Sequence, residues 1–188
     1  IISELNEGSF TFKNFYLRRV RRILPALFST LILTLPFAYF LLTSKAMIEY
    51  TRSLLSSVFF YANYYFMNLD FYNAEPAKFI PLLHTWSLAI EEQFYIIFPL
   101  FCFLIFKTSK KVLGYLILFL IIYSLYLNID SIEPTKFYRL EFRMWELLLG
   151  AFILILSSNL KINNIAFLGY PIMLFPIFYF NDYWINDI

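Results

Sequence analysis

The amino-acid sequence predicts an all-α fold, a polytopic transmembrane helical bundle, and three observations carry that expectation. Hydrophobic residues make up 61% of the 188 and charged ones only 15%, and mean hydropathy is +0.67, a balance too apolar for an ordinary soluble domain. The apolar residues fall in long runs separated by short charged clusters, as expected of helices that satisfy their own backbone hydrogen bonds in lipid. The strict apolar–polar alternation of a membrane β-barrel is missing. Net charge is only +2, so the placement of the charges carries the information. Cys102, the one cysteine, lies inside an apolar run and excludes an intrachain disulfide. The chain starts at Ile1 with no signal-peptide pattern and reads as a single partial domain, 1–188, of a longer protein truncated at both ends.

Taken in order, Ser3 to Arg22 is an amphipathic approach ending in Arg18, Arg19, Arg21 and Arg22. Leu24 to Thr43 is an uncharged run of spanning length, with Pro25 in its first turn and Pro36 as a kink. Ser53 to Met67 is shorter and rich in tyrosine and phenylalanine; it either spans, lies in an aromatic belt or forms a re-entrant hairpin. The apolar part of the next helix, Phe94 to Phe106, crosses only if Leu82 to Gln93 is included, which sets His84, Glu91 and Glu92 in its first third. Helices at Leu113 to Leu127, Phe137 to Leu156 and Ile165 to Phe180 follow. The positive-inside rule puts Arg18 to Arg22 and Lys107 to Lys111 in the cytoplasm. Two crossings between them, with Ser53 to Met67 not spanning, place His84 and both glutamates near the outer face.

Ionisable groups in membrane segments are costly and mark functional sites. On a helix from Leu82, His84, Ser87, Glu91 and Tyr95 share one face, with Glu92 about a quarter-turn away. A carboxylate beside a neutral imidazole fixes its tautomer and raises its basicity, an acid/base or bracing arrangement. Arg139, Arg143 and Glu146 share a second helical face while Glu141 points away. The two faces together predict a polar chamber of His84, Glu91, Arg139, Arg143 and Glu146. Trp86 and Trp145 either stack on a sugar or anchor at the interface. One histidine and no cysteine pair offer few metal ligands, so no metal is expected. The short basic run abutting a membrane helix argues against nucleic acid and for contact with membrane lipids.

Three blocks make the chain resemble the acyltransferase-3 family of integral membrane O-acyltransferases, which includes bacterial O-antigen acetylases. They are FYLRRVRRILPAL from Phe15, PLLHTWSLAIEEQFYIIFPL from Pro81 and YRLEFRMWELLLGA from Tyr138. The resemblance implies about ten transmembrane helices in a bacterial inner membrane. It also implies transfer of an acyl group, usually acetyl, from acyl-CoA to a hydroxyl of an extracytoplasmic cell-envelope glycan such as lipopolysaccharide or peptidoglycan. It links Arg19 and Arg22 to CoA, whose phosphates suit guanidinium groups. A further catalytic histidine is implied before Ile1, so His84 does not inherit that role. Within the residues present, His84, Glu91, Arg143 and Glu146 are the candidate catalytic set. Trp86, Ser87, Glu92 and Arg139 are the candidate substrate contacts, with Glu92 also expected to pair with an arginine. A non-enzymatic carrier or flippase for a lipid-linked sugar uses the same charged chamber as a binding site and differs in not consuming acyl-CoA.

Overall fold

The computed structural model describes residues 1, 4–5, 7–69, 80–106, 109–130 and 134–160. Among these the regular structure is helical: α1 (Phe12–Leu41), α2 (Ser44–Val58), α3 (Ala62–Met67), α4 (Thr85–Phe106), α5 (Lys110–Asp130), a 3₁₀ turn (Pro134–Tyr138) and α6 (Leu140–Leu160). Two compact units divide the chain, Ile1–Leu148 and Leu149–Ile188. All the candidate site residues lie in the first. Of the second, the described part is the C-terminal half of α6, and the helix expected at Ile165 to Phe180 lies outside the described residues. Among the described residues three helices are long and apolar enough to cross a membrane, at Phe12–Leu41, Thr85–Phe106 and Lys111–Ile129.

The first helix begins twelve residues earlier than the apolar run suggested, so the arginine cluster lies inside α1 and Pro25 is interior. Hydrogen bonds from Ser29 and Thr30 hydroxyls to the Ala26 carbonyl, both 2.9 Å, keep the segment after Pro25 saturated within the helix. α1 runs antiparallel to α4. Phe12 meets Phe103 at 5.3 Å between ring centroids, Tyr16 donates to the Ile96 carbonyl at 3.2 Å, and Leu27 and Leu31 pack against Leu82. Ile96 lies one turn before Pro99, an interior proline of α4.

Ser53 to Met67 is not one helix but the end of α2, a turn and the short α3. α2, with 15 residues, is about 22 Å long at 1.5 Å per residue, short of the roughly 30 Å hydrocarbon core. Its buried serines return their hydroxyls to their own helix, Ser53 to the Tyr50 carbonyl (2.7 Å) and Ser57 to the Ser53 carbonyl (2.7 Å), which leaves a small-residue face for close packing. The helix stops in a paired cap: the Tyr61 amide donates to the Ser56 carbonyl at 2.8 Å and the Phe60 amide to that of Ser57 at 3.2 Å. That motif requires a left-handed residue, here Phe60 at φ 52°. α3 then returns beside α2, where the Tyr65 hydroxyl donates to the Glu49 carbonyl at 3.1 Å. α1 and α4 are therefore antiparallel neighbours, both long and apolar enough to cross a membrane, with the α2–α3 helical hairpin between them in the chain.

Two apolar clusters bind these elements. Leu27, Leu31, Ala38, Tyr50 and Leu82 join α1 and α2 to the start of α4. Ala62, Phe66, Trp86, Ala89 and Ile90 join α3 to α4, with Tyr138 and Leu140 packed on them. α5 holds the next turn by polar contacts: Ser124 donates to the Glu141 carbonyl at 2.7 Å and Asn128 to that of Phe142 at 2.9 Å.

Candidate active site

The helical phase of α4 begins only at Thr85. Around its start, Leu83, Thr85, Trp86 and Ser87 donate their amides to carbonyls three residues back, those of Ile80, Leu82, Leu83 and His84. His84 sits in that turn, exposed, and is taken off the face it was expected to share with Glu91. The single chamber predicted from the sequence is two recesses separated by α4.

The larger is an open groove of about 450 Å³ between α1 and the α4 entrance, lined by Arg22, Ile23, Ala26, Leu27, Thr30, Pro81, Leu82, His84, Thr85 and Leu88. Arg22 and His84, expected on opposite sides of the membrane, are walls of the same groove. The reason is the early start of α1, which lays its arginines along α4 rather than in a loop beyond it. From Arg22 to Thr30 the groove follows about 12 Å of α1 at 1.5 Å per residue. Apolar side chains form most of the wall, and Arg22 is exposed at one end.

Arg19, one turn from Arg22, is placed differently. Its guanidinium lies 4.1 Å from the Tyr95 ring centroid and 5.5 Å from that of Phe15, and the residue is half-buried. It is the opposite charge that acts on Glu92. The expected arginine partner of Glu92 is thus electrostatic, for Glu92 Oε1 is buried with no hydrogen-bond partner among the described residues. Arg18 is paired elsewhere, with Glu4 at 2.8 Å.

The smaller recess, about 70 Å³, is lined by Trp86, Ser87, Ile90, Glu91, Arg143, Glu146 and Leu147 between α4 and α6. Arg143 and Glu146 pair at 2.8 Å, as their three-residue spacing predicted. The Arg143 guanidinium lies 5.2 Å from the centroids of both Trp86 and Phe137, and the two rings meet at 4.3 Å. Trp86 is only 8% exposed, covered by Phe137, Tyr138 and the Arg143 guanidinium. Arg139 does not join this recess. It precedes α6, outside the 3.6-residue repeat, and forms an ion pair with Glu141, the residue expected to point away. Burial in the 3₁₀ turn pushes the Tyr138 phenol above its ordinary range.

Sequence reasoning missed an amide pair, Asn63 buried and Gln93 partly so. Gln93 Nε2 donates to Asn63 Oδ1 and to the Phe60 carbonyl, each at 2.9 Å, and Asn63 Nδ2 donates to the Tyr138 carbonyl at 3.0 Å. A glutamine following two glutamates in an apolar helix was the available signal. Asn63, set among tyrosines, was hidden by reading them as belt residues.

Comparison with known proteins is decisive for kinship. The Acyltransferase domain model of family 3 matches residues 2–188. The chain belongs to the acyltransferase-3 family. Among curated relatives, this acyltransferase-3 chain is 30% identical over 201 residues to a Staphylococcus aureus protein provisionally named an O-acetyltransferase, covering 96% of the chain and 33% of that protein. It is 27% identical to a Bacillus subtilis protein provisionally named a peptidoglycan O-acetyltransferase, covering 95% and 31%. It is 30% identical over 192 residues to an uncharacterized Haemophilus influenzae protein, covering 93% and 78%. The chain therefore spans about a third of the length of the first two. No solved structure matches it.

Proposed function

We propose that this chain forms part of a bacterial inner-membrane O-acyltransferase that moves an acyl group, in the first instance acetyl, from acyl-CoA to a hydroxyl of an extracytoplasmic envelope glycan. The observation that supports this most is the groove that Arg22 and His84 both line, in a chain of this family. A guanidinium forms paired, charge-assisted hydrogen bonds to phosphate. The apolar wall of Ile23, Ala26, Leu27, Leu82 and Leu88 suits the uncharged arm that carries a thioester. With the α1 N-terminal end and Lys107 to Lys111 in the cytoplasm, the donor reaches Arg22 from that side.

His84 is the proton acceptor in this reading, the one imidazole lining the groove beside Arg22. It takes the proton of the acceptor hydroxyl as that oxygen attacks the thioester carbonyl. The carbon–sulfur bond then breaks, and the proton passes to the departing thiolate of CoA. Glu91, Ser87, Arg143 and Glu146 line the other recess, which has donors and acceptors for the hydroxyls of a carbohydrate. There Arg143 and Glu146 orient the acceptor and Trp86 supports Arg143. Arg19 and Glu92 balance each other's charge at the α1–α4 seam.

The test uses membranes containing the full-length protein, labelled acyl-CoA and the glycan of the host envelope, with Arg22→Ala and His84→Ala beside the parent. Label reaches glycan in the parent and is lost in His84→Ala, by the roughly 10²–10⁴-fold expected of a general base. If a well-expressed parent consumes no acyl-CoA, the carrier reading replaces this one. If His84→Ala retains activity, the histidine leaves the mechanism.

A further inference from the structure

Neither recess includes the paired amides of Asn63 and Gln93, yet their hydrogen bonds are disposed in a way that packing alone does not demand. Asn63 is fully buried. Each amide directs one N–H to its partner and another to a backbone carbonyl. The Gln93 carbonyl oxygen accepts from Asn63 Nδ2 at 3.4 Å, while Gln93 Nε2 donates to Asn63 Oδ1 at 2.9 Å. The second donors go to Phe60, at 2.9 Å from Gln93, and to Tyr138, at 3.0 Å from Asn63.

Both carbonyls lie where a helical ladder stops. Phe60 holds the left-handed position that turns α2 back into α3, at φ 52°, a conformation disfavoured for a side chain of this bulk. Tyr138 ends the 3₁₀ turn before α6. A carbonyl buried at a ladder's end is costly unless something donates to it. Two side-chain amides of fixed length therefore tie the tip of the hairpin to the end of the turn, through α4.

The turn so tied is the one that mounts Arg143. Phe137 adjoins Tyr138, and its ring lies beside Trp86 and under the Arg143 guanidinium. Tyr138 also meets Trp86 edge-on at 5.4 Å. A shift of the Tyr138 carbonyl moves Phe137 and with it the support of Arg143. The groove of Arg22 and His84 contains neither amide.

We infer that Asn63 and Gln93 are positioning residues, which fix the Phe137–Trp86 mount of Arg143 and so align the acceptor recess while leaving the donor groove unchanged. This rests on the reading of the Arg143–Glu146 recess as the acceptor side. The experiment uses the full-length protein with Asn63→Leu and Gln93→Met, which keep the shape of each side chain and remove its amide. The acceptor KM rises at least tenfold in each, and the KM for acyl-CoA changes by less than twofold. Equal changes in both constants, or an unchanged acceptor KM, overturn the inference. Thermal unfolding of the purified protein gives a second reading that needs no activity. The double variant loses less than the sum of the two single losses if the amides are paired, and strictly additive losses overturn the pairing. A parent that unfolds with such coupling but transfers no acyl group refutes the functional reading and with it the acceptor alignment, leaving only the brace. If neither single variant accumulates, the exchange Asn63→Gln with Gln93→Asn, which keeps both amides, takes their place. It accumulates and transfers if amide pairing is the requirement, and its failure to do either overturns the inference.

Discussion

Arg19 and Arg22, a matched pair in the sequence, are separated by their surroundings into residues with different measurable consequences. Arg22 is exposed on the groove wall. Replacing it by alanine removes a charge-assisted hydrogen bond to phosphate, about 1.5–3 kcal/mol. At about 1.4 kcal/mol per tenfold this is roughly a 10- to 150-fold rise in the KM for acyl-CoA, with kcat retained because ground state and transition state lose the contact alike. Arg22→Lys keeps a point charge without the planar fork and falls between. Arg19→Ala instead removes a guanidinium stacked 4.1 Å from the Tyr95 centroid, a cation–π contact worth about 0.5–2 kcal/mol. It also leaves the half-buried Glu92 carboxylate without its opposing charge, adding about 1–3 kcal/mol. The sum is a stability loss of about 1.5–5 kcal/mol, read as a lowered melting temperature in detergent. Steady-state kinetics with varied acyl-CoA and thermal unfolding, run on the same purified variants, separate the two effects. A large KM rise for Arg19→Ala at unchanged melting temperature, or a destabilised Arg22→Ala, would refute the division.

Other outcomes follow from the same geometry. Removing Arg143 alone strands Glu146, its partner at 2.8 Å, so Arg143→Ala costs transfer to glycan more than Glu146→Ala does, by about tenfold or more, with acyl-CoA affinity preserved in both. Competition binding with an acyl-CoA analogue beside acceptor-saturation kinetics checks this, and a shared loss of donor affinity contradicts the two-recess arrangement. Because Cys102 is buried, single cysteines can be introduced at Asn68 and Lys110 with little background. Impermeant thiol reagents reach Asn68→Cys and Lys110→Cys from opposite faces of the membrane if α4 is the one crossing between them, and labelling from the same face rejects the hairpin topology.

Much of this architecture is set by local sequence. Leu24 to Thr43 and Phe94 to Phe106 had to become membrane helices because no other backbone arrangement satisfies so long an apolar run in lipid, and Arg143 and Glu146 had to face one another at a three-residue spacing. Short-range periodicity also set the choice at Ser53 to Met67, whose length left spanning, belt and hairpin all open. The fold breaks that segment into two helices at Phe60, a left-handed residue that no turn-forming side chain announces. The same limit explains His84. Its place relative to Glu91 depends on where the helical phase begins, and the three-residue hydrogen bonds of Leu83, Thr85, Trp86 and Ser87 around that start leave it lining the groove with Arg22. Residue type placed ionisable groups at helix mouths. Which of them meet depended on where α1 starts, where α2 turns back and how the Asn63–Gln93 amides tie those breaks together, and these are properties of contacts between segments distant in the chain.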